Sequence, residues 1–514
     1  MLTARRGVAV LAVVALCGLA ALPLAAPSSN ASAKRARTRG AAARPNIVFV
    51  LTDDLAWNLV RKKYMPHVIE LQRQGITFKH YFVADSLCCP SRSSIFTGLF
   101  PHDTGVLGNA GSNGGYGSFQ AHHDQRKTYP LAIRPRRYWT SFLGKYLNGY
   151  GSPKMTTVIP PGWSDWTGAG NAYAEFNYNL NENGRVVHYG GRSHRANYLT
   201  DVLARRATKF IDRAAVSRKR FVMEVATFAP HAPYTPAPRN AHDFHGLKAP
   251  RKAAFDKNNF DPPLWLGVRP PLTQKQIHTI DRGFRKRAQS VEAVDRMIGK
   301  IEDTLRAHGL ASNTYIFFSS DNGYHMGEHR LLPGKQTAFD TDIRVPLIVA
   351  GPGVPHDRVE SQVVQNVDLY PTFLELAGVV PRRSVDGHSI VPLLHPAPGR
   401  HPLLWRTAAL IEHQGPDMYI GDPDLESGNL SGNPTTYRAV RLAGGAFGNA
   451  LYVEYSDPAR EREFYDIDAD PGERYNIYYT PLLTPSERVK LHAMVAALSN
   501  CHGAKACWKA GQPH

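Results

Sequence analysis

The feature that most constrains the fold is a regular alternation of buried strand patterns with amphipathic helix patterns. Residues 46–52 read NIVFVLT, a nearly unbroken apolar run of the kind found in strands that are buried on both faces. Similar runs occur at 221–227, 314–319 and 345–350, and apolar residues at helical spacing lie among them. Because such a sheet must be covered on both sides, the alternation predicts an α/β domain with a large sheet flanked by helices.

Helices and one long irregular segment complete this larger domain, which is expected to cover residues 45–395. Helices are predicted at 65–74, in a stretch that ends near Gly309, and at 368–377. Residues 232–283 are rich in Pro, Asn and Lys and show weak periodicity. Long segments of this kind are often functional, so we predict an insertion that covers or shapes a cleft.

The last quarter of the chain has a different character. Short alternating patterns separated by Gly, Asp and Pro occur at 437–442, 451–455 and 463–467, and a helical pattern follows at 483–498. This order predicts a small antiparallel subdomain of α+β type over residues 396–514.

The N-terminus is expected to direct export. Two arginines precede an apolar run over residues 8–24, and a small-residue Ala-Ser-Ala sequence follows at 31–33, so residues 1–33 are predicted to be a cleaved secretory signal. An uncleaved anchor is the alternative, but the run is short and interrupted. Residues 34–44 are predicted to be a basic disordered arm. Residues 1–44 contain seven basic residues and no acidic one, so a net charge of +11, out of the total of +18, remains on the rest of the chain. This positive charge weakly favours anionic substrates.

The cysteines fall into two groups once Cys17 leaves with the signal. Cys501 and Cys507 flank a short loop and are expected to pair in an oxidising compartment. Cys88 and Cys89 are adjacent in the sequence, and neighbouring cysteines seldom pair with each other. These two therefore need another explanation.

Oxygen-donor side chains follow two of the predicted strands. Asp53 and Asp54 come directly after the first strand, and Asp321 with Asn322 follows the strand at 314–319. In open α/β sheets ligands bind at the carboxyl ends of the strands. Carboxylate and amide oxygens suit Ca²⁺ or Mg²⁺, although each pair alone is also an ordinary turn sequence. Two such clusters in one sheet predict a divalent metal site.

A third cluster reads Cys88-Cys89-Pro90-Ser91-Arg92 and is followed by a Thr-Gly pair at 97–98. Pro90 is well placed as the first residue of a helix, and Cys88 would then face the helix N-terminus, where backbone N–H groups favour anions. The alternatives are a Cys-Pro turn with two buried thiols and a reactive thiolate.

These residues resemble the signature of the sulfatase family, Cys-x-Pro-Ser-Arg followed by Thr-Gly. The resemblance covers roughly residues 44–500, and the motifs are most similar to the N-acetylglucosamine-6-sulfatase and endosulfatase branch. The further motifs that match in the expected order are Leu51-Thr52-Asp53-Asp54, Gly144-Lys145, Pro230-His231-x-Pro233, Ser320-Asp321-Asn322-Gly323, Gly334-Lys335, Arg344-Val345-Pro346, Asp386-Gly387 and Phe464-Tyr465-Asp466.

The resemblance implies an alkaline-phosphatase-like fold with a large mixed sheet, and hydrolysis of sulfate esters. The substrate would be a sulfated sugar, such as a 6-O-sulfated N-acetylglucosamine, or an aryl sulfate. A formylglycine-generating enzyme would oxidise Cys88 to Cα-formylglycine (3-oxoalanine). One Ca²⁺ would be held by a set of five residues, Asp53, Asp54, Asp321, Asn322 and the modified Cys88. Nucleic-acid partners and stable membrane insertion are not expected.

The resemblance also assigns roles to the other site residues. The hydrated aldehyde would be a geminal diol, and one of its hydroxyl groups would attack sulfur while Arg92 holds the diol. Lys145, Lys335 and His231 would neutralise the sulfate oxygens, and His231 or a lysine would protonate the departing alcohol. The second hydroxyl would then lose its proton and expel sulfate. A plain Cys or Ser lacks that second hydroxyl.

One position departs from the family pattern. Many sulfatases have His two residues after the lysine that matches Lys145, as the base for sulfate release, and this chain has Leu147 there. His325, just past the second metal pair, is the predicted substitute. It could instead contact substrate or be structural.

Two other functions are alternatives for this sequence. A phosphatase or phosphonate monoester hydrolase would share the sheet and the metal site, but a phosphatase usually has a Ser or Thr nucleophile and a second metal site rich in His and Asp. A non-catalytic binder of sulfated polymers would leave Cys88 unconverted. The complete set of Lys145, His231 and Lys335 argues against the binder.

Overall fold

The computed structural model describes residues 44–152, 154–191, 195–396, 404–416, 419 and 430–512. The predicted signal and nearly all of the predicted arm lie outside the described residues. Residues 44–514 form one compact unit. In the described ranges, no helix has both the length and the apolar character needed to cross a membrane.

A mixed sheet forms the centre of this unit and has ten strands among the described residues. Its strands β9, β1, β8, β4 and β5 run parallel to one another, and the others include antiparallel neighbours. In spatial order the sheet comprises β11 (Arg358–Glu360), β2 (Gly75–Phe78), β10 (Leu347–Ala350), β9 (Thr314–Ser320), β1 (Asn46–Thr52), β8 (Phe221–Ala226), β4 (Trp139–Lys145), β5 (Asp165–Ala169), β6 (Tyr178–Glu182) and β7 (Arg185–Tyr189). The predicted large mixed sheet is confirmed.

Helices cover both faces of the sheet, as the apolar pattern of β1 requires. Phe49 of β1 packs in one core with Phe373, and Val50 packs in the other core with Val291. Every residue of β1 is buried. The helices are α1 (Pro66–Arg73), α2 (Cys88–Thr97), α3 (Pro101–Thr104), α4 (Gly115–Ala121), α5 (Tyr129–Ile133), α6 (Leu199–Val216), α7 (Gln274–Ala307), α8 (Asp340–Ile343), α9 (Leu369–Leu376), α10 (Val391–Leu394), α11 (Pro485–Ser499) and α12 (Ala504–Ala510).

A small antiparallel sheet follows, as expected for the C-terminal part. Its strands pair in the order of the chain, and α11 packs on it through Leu491 and Val495. Cys501 and Cys507, the expected pair, are joined by a disulfide. The strands are β13 (Ala408–His413), β14 (Tyr437–Ala443), β15 (Asn449–Tyr455) and β16 (Arg462–Asp466), while β3 (Tyr81–Phe82) and β12 (Val364–Gln365) form a separate pair.

Two expected boundaries are wrong. Helix α7 begins at Gln274, so the irregular insertion ends about ten residues before the expected 283. Thr273 caps the helix, because its side chain accepts a hydrogen bond from the Gln276 N–H. The first turn of the helix buries no apolar side chain, so the sequence there lacks the apolar periodicity that predicts a helix. The strand expected at 345–350 begins at Leu347 and runs antiparallel to β9.

His102 of α3 links the larger part of the chain to the C-terminal elements. Its Nδ1 lies 2.7 Å from Glu412 Oε2 of β13, and its Nε2 lies 2.9 Å from the Cys501 carbonyl oxygen. Burial alone would lower the pKa of His102, but the hydrogen bond and charge of Glu412 outweigh it and raise the pKa to about 9.

This contact predicts a stability that depends on pH. Since the folded pKa lies above the ordinary value of 6.5, the stabilisation is fully present below that value and is lost as pH rises through 9. Urea unfolding of wild type and His102→Gln should differ by at most about 3 kcal/mol near pH 6, and by much less near pH 10. A difference that stayed constant across that range would contradict the ion pair.

Candidate active site

The expected metal residues meet at the carboxyl edge of the central sheet. Because β1 and β9 are parallel neighbours in the register Thr52↔Ser320, the residues that follow them lie side by side. Asn322 Nδ2 donates to Asp54 Oδ1 at 2.7 Å, and the Asp54 N–H donates to Asp321 Oδ1 at 3.1 Å. Asp54 has a φ of 64°, a left-handed conformation that non-glycine residues rarely adopt.

Cys88 lies against these carboxylates and between two lysines. Helix α2 begins at Cys88, two residues before Pro90, the helix start expected from the sequence. Cys88 Sγ lies 3.2 Å from Asp53 Oδ1, 3.2 Å from Lys145 Nζ and 3.0 Å from Lys335 Nζ. All of these side chains are buried.

Each lysine is also paired with one carboxylate. Lys145 Nζ lies 2.6 Å from Asp53 Oδ2, and Lys335 Nζ lies 2.7 Å from Asp54 Oδ1. Burial alone would lower the pKa of Lys145, but the charge of Asp53 raises it well above its ordinary value. Lys145 therefore forms a buried ion pair with Asp53 beside Cys88.

Arg92 lies one turn further along α2 than Cys88 and connects the ends of strands β9 and β4. Its Nε donates to Asp321 Oδ2 at 2.7 Å, and its Nη1 donates to the Lys145 carbonyl oxygen at 2.7 Å. Burial opposes ionisation of Asp321, but Arg92 and the two lysines outweigh it and lower its pKa to about 2. Asp321 is therefore an anion over the whole physiological range.

Two buried oxygen atoms at this edge fit a hard cation. Asp54 Oδ2 and Asn322 Oδ1 accept no hydrogen bond among the described residues, and a buried acceptor without a partner is costly. Ligand atoms of Asp53, Asp54, Cys88 and His231 all lie within 4.8 Å of one another. The donor set of carboxylate and amide oxygens suits Ca²⁺.

His231 lies on the other side of Asp54. Its Nδ1 lies 2.8 Å from the Ala232 carbonyl oxygen, and its Nε2 lies 3.6 Å from Asp54 Oδ2. The Tyr173 ring centroid is 4.6 Å from the His231 ring, and Lys145 Nζ is 5.0 Å from the centroid of the same tyrosine. His231 therefore belongs to the same cluster as Cys88.

His325 has a different environment. Its Nδ1 lies 3.0 Å from both carboxylate oxygens of Asp342, and its Nε2 lies 2.8 Å from the Ser431 carbonyl oxygen. Burial opposes protonation, but Asp342 outweighs it and raises the pKa of His325. Leu147 is buried in an apolar core. The proton acceptor for sulfate release therefore stays a prediction.

Sequence reasoning missed several contacts that support the site. Ser91 Oγ donates to the Asp321 carbonyl oxygen at 2.5 Å, and Asn366 Nδ2 donates to Ser91 Oγ at 3.0 Å. Arg287 of α7 donates to the Asp54 carbonyl oxygen. Arg287 could have been noticed, because it occupies a position on the apolar stripe of its helix, three residues after Phe284.

The large mixed sheet, its flanking helices and the small antiparallel sheet form an alkaline-phosphatase-like fold, and the charged cluster lies at the carboxyl edge of its central strands. A family model described as Sulfatase matches residues 45–379. The N-acetylglucosamine-6-sulfatase of Homo sapiens is 35% identical, over 90% of this chain and 85% of that protein. An arylsulfatase of Volvox carteri is 30% identical, over 98% of this chain and 80% of that protein. The chain belongs to the sulfatase family and is a sulfuric ester hydrolase.

Solved structures share the fold at lower identity. One, described as a complex with its substrate D-glucosamine-2-N,6-O-disulfate, has a TM-score of 0.72 at 22% identity and covers 88% of this chain and 97% of that chain. The phosphonate monoester hydrolase of Agrobacterium radiobacter has a TM-score of 0.64 at 19% identity, over 88% of this chain and 95% of that chain. These likenesses show the fold.

Proposed function

We propose that this sulfatase removes a 6-O-sulfate from an N-acetylglucosamine-type saccharide, with one Ca²⁺ and with Cys88 converted to formylglycine. The observation that carries the proposal is the position of buried Cys88 between Asp53 and two lysines. Two cations around one small side chain suit a bound anionic ester group better than a structural thiol. The saccharide class is supported by the N-acetylglucosamine-6-sulfatases among the relatives.

The ion and the modified side chain would supply the reactive chemistry. A bound Ca²⁺ would act as a Lewis acid on the sulfate oxygens, and the formylglycine hydrate would supply the attacking hydroxyl group. Four protein residues, together with the modified Cys88, would hold the ion, namely Asp53, Asp54, Asp321 and Asn322. Lys145 and Lys335 also pair with Asp53 and Asp54.

The remaining residues would bind the ester and move protons. Lys145 and Lys335 lie close enough to Cys88 Sγ to contact sulfate oxygens on either side of it. Arg92, fixed by Asp321, would hold the hydroxyl groups of the converted Cys88. Protonated at Nε2, the ring of His231 would deliver a proton to the departing alcohol oxygen.

Proton removal for sulfate release is assigned to His325. Leu147 cannot exchange a proton, and the Asp342 carboxylate next to His325 would stabilise the imidazolium that forms. A carbonyl oxygen can only accept a hydrogen bond, so His325 would first have to give up the Nε2 proton that it donates to Ser431. The neutral ring, held by Nδ1–H on Asp342, would then accept the proton at Nε2.

A cavity next to Lys145 would receive the sugar ring. It has a volume of about 140 Å³, and its lining includes the aromatic residues Tyr173 and Phe228 and the polar residues Asn148 and Asn171. An aromatic face beside polar side chains matches a pyranose, which has an apolar face and hydroxyl groups around its edge.

Tyr173→Ala is expected to raise KM for a 6-O-sulfated sugar by roughly 10-fold, because it removes the aromatic face. Tyr173→Phe is the matched control, since it keeps the ring and should retain a KM within about 3-fold of wild type. Steady-state kinetics on both variants checks this. An equal increase of KM in both variants would contradict stacking and would indicate that the tyrosine hydroxyl group binds the sugar.

The function is tested with a panel of glucosamine 6-O-, 2-O- and N-sulfates, one aryl sulfate and one phosphonate monoester. The highest kcat/KM is expected for the 6-O-sulfate. A preference for another sulfate position would overturn the proposed substrate. Faster turnover of the phosphonate would favour the alternative shared with the solved phosphonate hydrolases.

Export and maturation are proposed on sequence grounds. The predicted signal over 1–33 would carry the chain out of the cytoplasm, and relatives described as extracellular sulfatases occur in Drosophila melanogaster and Caenorhabditis elegans. The formylglycine-generating enzyme would convert Cys88 before folding, since the folded site buries the thiol completely.

A further inference from the structure

We infer that Arg287 of α7 is a positioning residue that clamps the two loops carrying Asp54 and His231. The inference rests on the proposed roles of those two residues as metal ligand and proton donor. Among the described residues, the hydrogen bonds of Arg287 go to two backbone carbonyl oxygens, one on each loop. It acts through the backbone on each side of the site.

Arg287 bridges the two loops by direct hydrogen bonds. Its Nη2 donates to the carbonyl oxygen of Asp54, and its Nη1 donates to the carbonyl oxygen of Pro230 at 3.1 Å. Pro230 immediately precedes His231 in the chain. One planar guanidinium therefore sets the spacing between the backbone of the metal ligand and the backbone of the histidine.

The surroundings of Arg287 are unusual for a buried cation. Its side chain is 1% exposed, and its described partners are two carbonyl oxygens and two aromatic rings rather than a carboxylate. The guanidinium carbon lies 4.3 Å from the Tyr324 ring centroid and 5.6 Å from that of Tyr234. The two tyrosine hydroxyl groups are 2.7 Å apart, so they form one wall around the guanidinium.

Stability alone is a weak reason for this arrangement. Burying a guanidinium carries a desolvation penalty of roughly several kcal/mol, and an apolar side chain at a core position of a helix avoids it. Cation–π contacts and charge-assisted hydrogen bonds offset the penalty in part. An apolar residue at this position could not donate hydrogen bonds to two carbonyl groups at once.

The clamp matters most for Asp54. Its left-handed φ of 64° is an unfavourable conformation for a residue with a side chain. In this conformation the Asp54 carboxylate pairs with Lys335, and the Asp54 carbonyl group faces Arg287 of α7. The bond from Arg287 holds the carbonyl in this direction, and Asp54 Oδ2 then lies 3.6 Å from His231 Nε2.

The test uses full-length enzyme and reads Ca²⁺ binding as well as turnover. Arg287→Met removes both donors at similar volume, and Arg287→Lys keeps the charge but can reach only one carbonyl. Arg282→Met, an exposed position on the same helix, is the matched control. Calorimetric titration with Ca²⁺ is expected to show about 10–100-fold weaker binding for Arg287→Met, an intermediate loss for Arg287→Lys, and none for the control.

Turnover should change in a way that depends on the leaving group. A misplaced His231 slows loss of a sugar alcohol, which needs a proton, more than loss of 4-nitrophenol, which does not. Unchanged Ca²⁺ affinity in the Arg287 variants would overturn the clamp, whatever happened to turnover. If wild type failed to hydrolyse any 6-O-sulfated sugar, the proposed substrate would fail, while weaker Ca²⁺ binding would still support the clamp. If Arg287→Met did not fold, Arg287→Lys alone would decide.

Discussion

Replacing Cys88 with alanine is expected to lower kcat for sulfate-ester hydrolysis by roughly 10⁴–10⁶-fold, the loss typical of removing a nucleophile. The fold should survive, because the change removes one buried sulfur atom at the start of α2 and leaves the two lysine–carboxylate pairs intact. Circular dichroism and thermal unfolding check that the variant is folded. Retention of more than about a tenth of wild-type activity would rule out Cys88 as the nucleophile.

Cys88→Ser separates attack from release. Serine offers one hydroxyl group, so it can accept a sulfuryl group, but it has no second hydroxyl with which to expel it. We expect at most one turnover per molecule and a mass increase of about 80 Da on the introduced serine, the mass of the transferred sulfuryl group. Continuous turnover by this variant would contradict the need for a diol.

Removal of the divalent ion is the second large effect that we expect. Chelation should lower kcat/KM by roughly 10³-fold, because a Lewis acid contributes several kcal/mol of stabilisation to the transition state. Added Ca²⁺ should restore the activity, and chelator saturated with Ca²⁺ beforehand is the matched control.

The same treatment should leave the chain folded. Lys145 and Lys335 lie within salt-bridge distance of Asp53 and Asp54, so these two buried carboxylates keep a counter-charge when the ion is removed. The melting temperature should fall only by the mass-action term for a bound ligand. Full activity with no detectable bound divalent ion would contradict the proposed metal site.

The strands, and the site residues that directly follow them, could be predicted from the sequence for a simple reason. Buried parallel strands have a distinctive apolar pattern, and the residues that follow them meet at one edge of the sheet. Asp54 and Asn322 were expected together on those grounds, and they are joined by a 2.7 Å hydrogen bond. The antiparallel C-terminal sheet was predictable from its alternating pattern in the same way.

What the sequence did not reveal depends on contacts between distant segments. The pairing of Lys335 with Asp54 spans 281 residues, and the bond from Arg287 to the Asp54 carbonyl spans 233. No local pattern encodes such contacts. The contact of His325 with Asp342 is closer in the chain, but an Asp on a short helix gives no sign of its partner.

Cys88 is expected to act only after conversion to formylglycine, and mass spectrometry of the Cys88 peptide detects that conversion. Protein purified from its native host should yield a peptide about 18 Da lighter than the unmodified one, because the CH₂SH group has become CHO. The aldehyde should also react with a hydrazide probe, which the Cys88→Ala variant would not. An unmodified Cys88 in protein that hydrolyses sulfate esters would contradict the account.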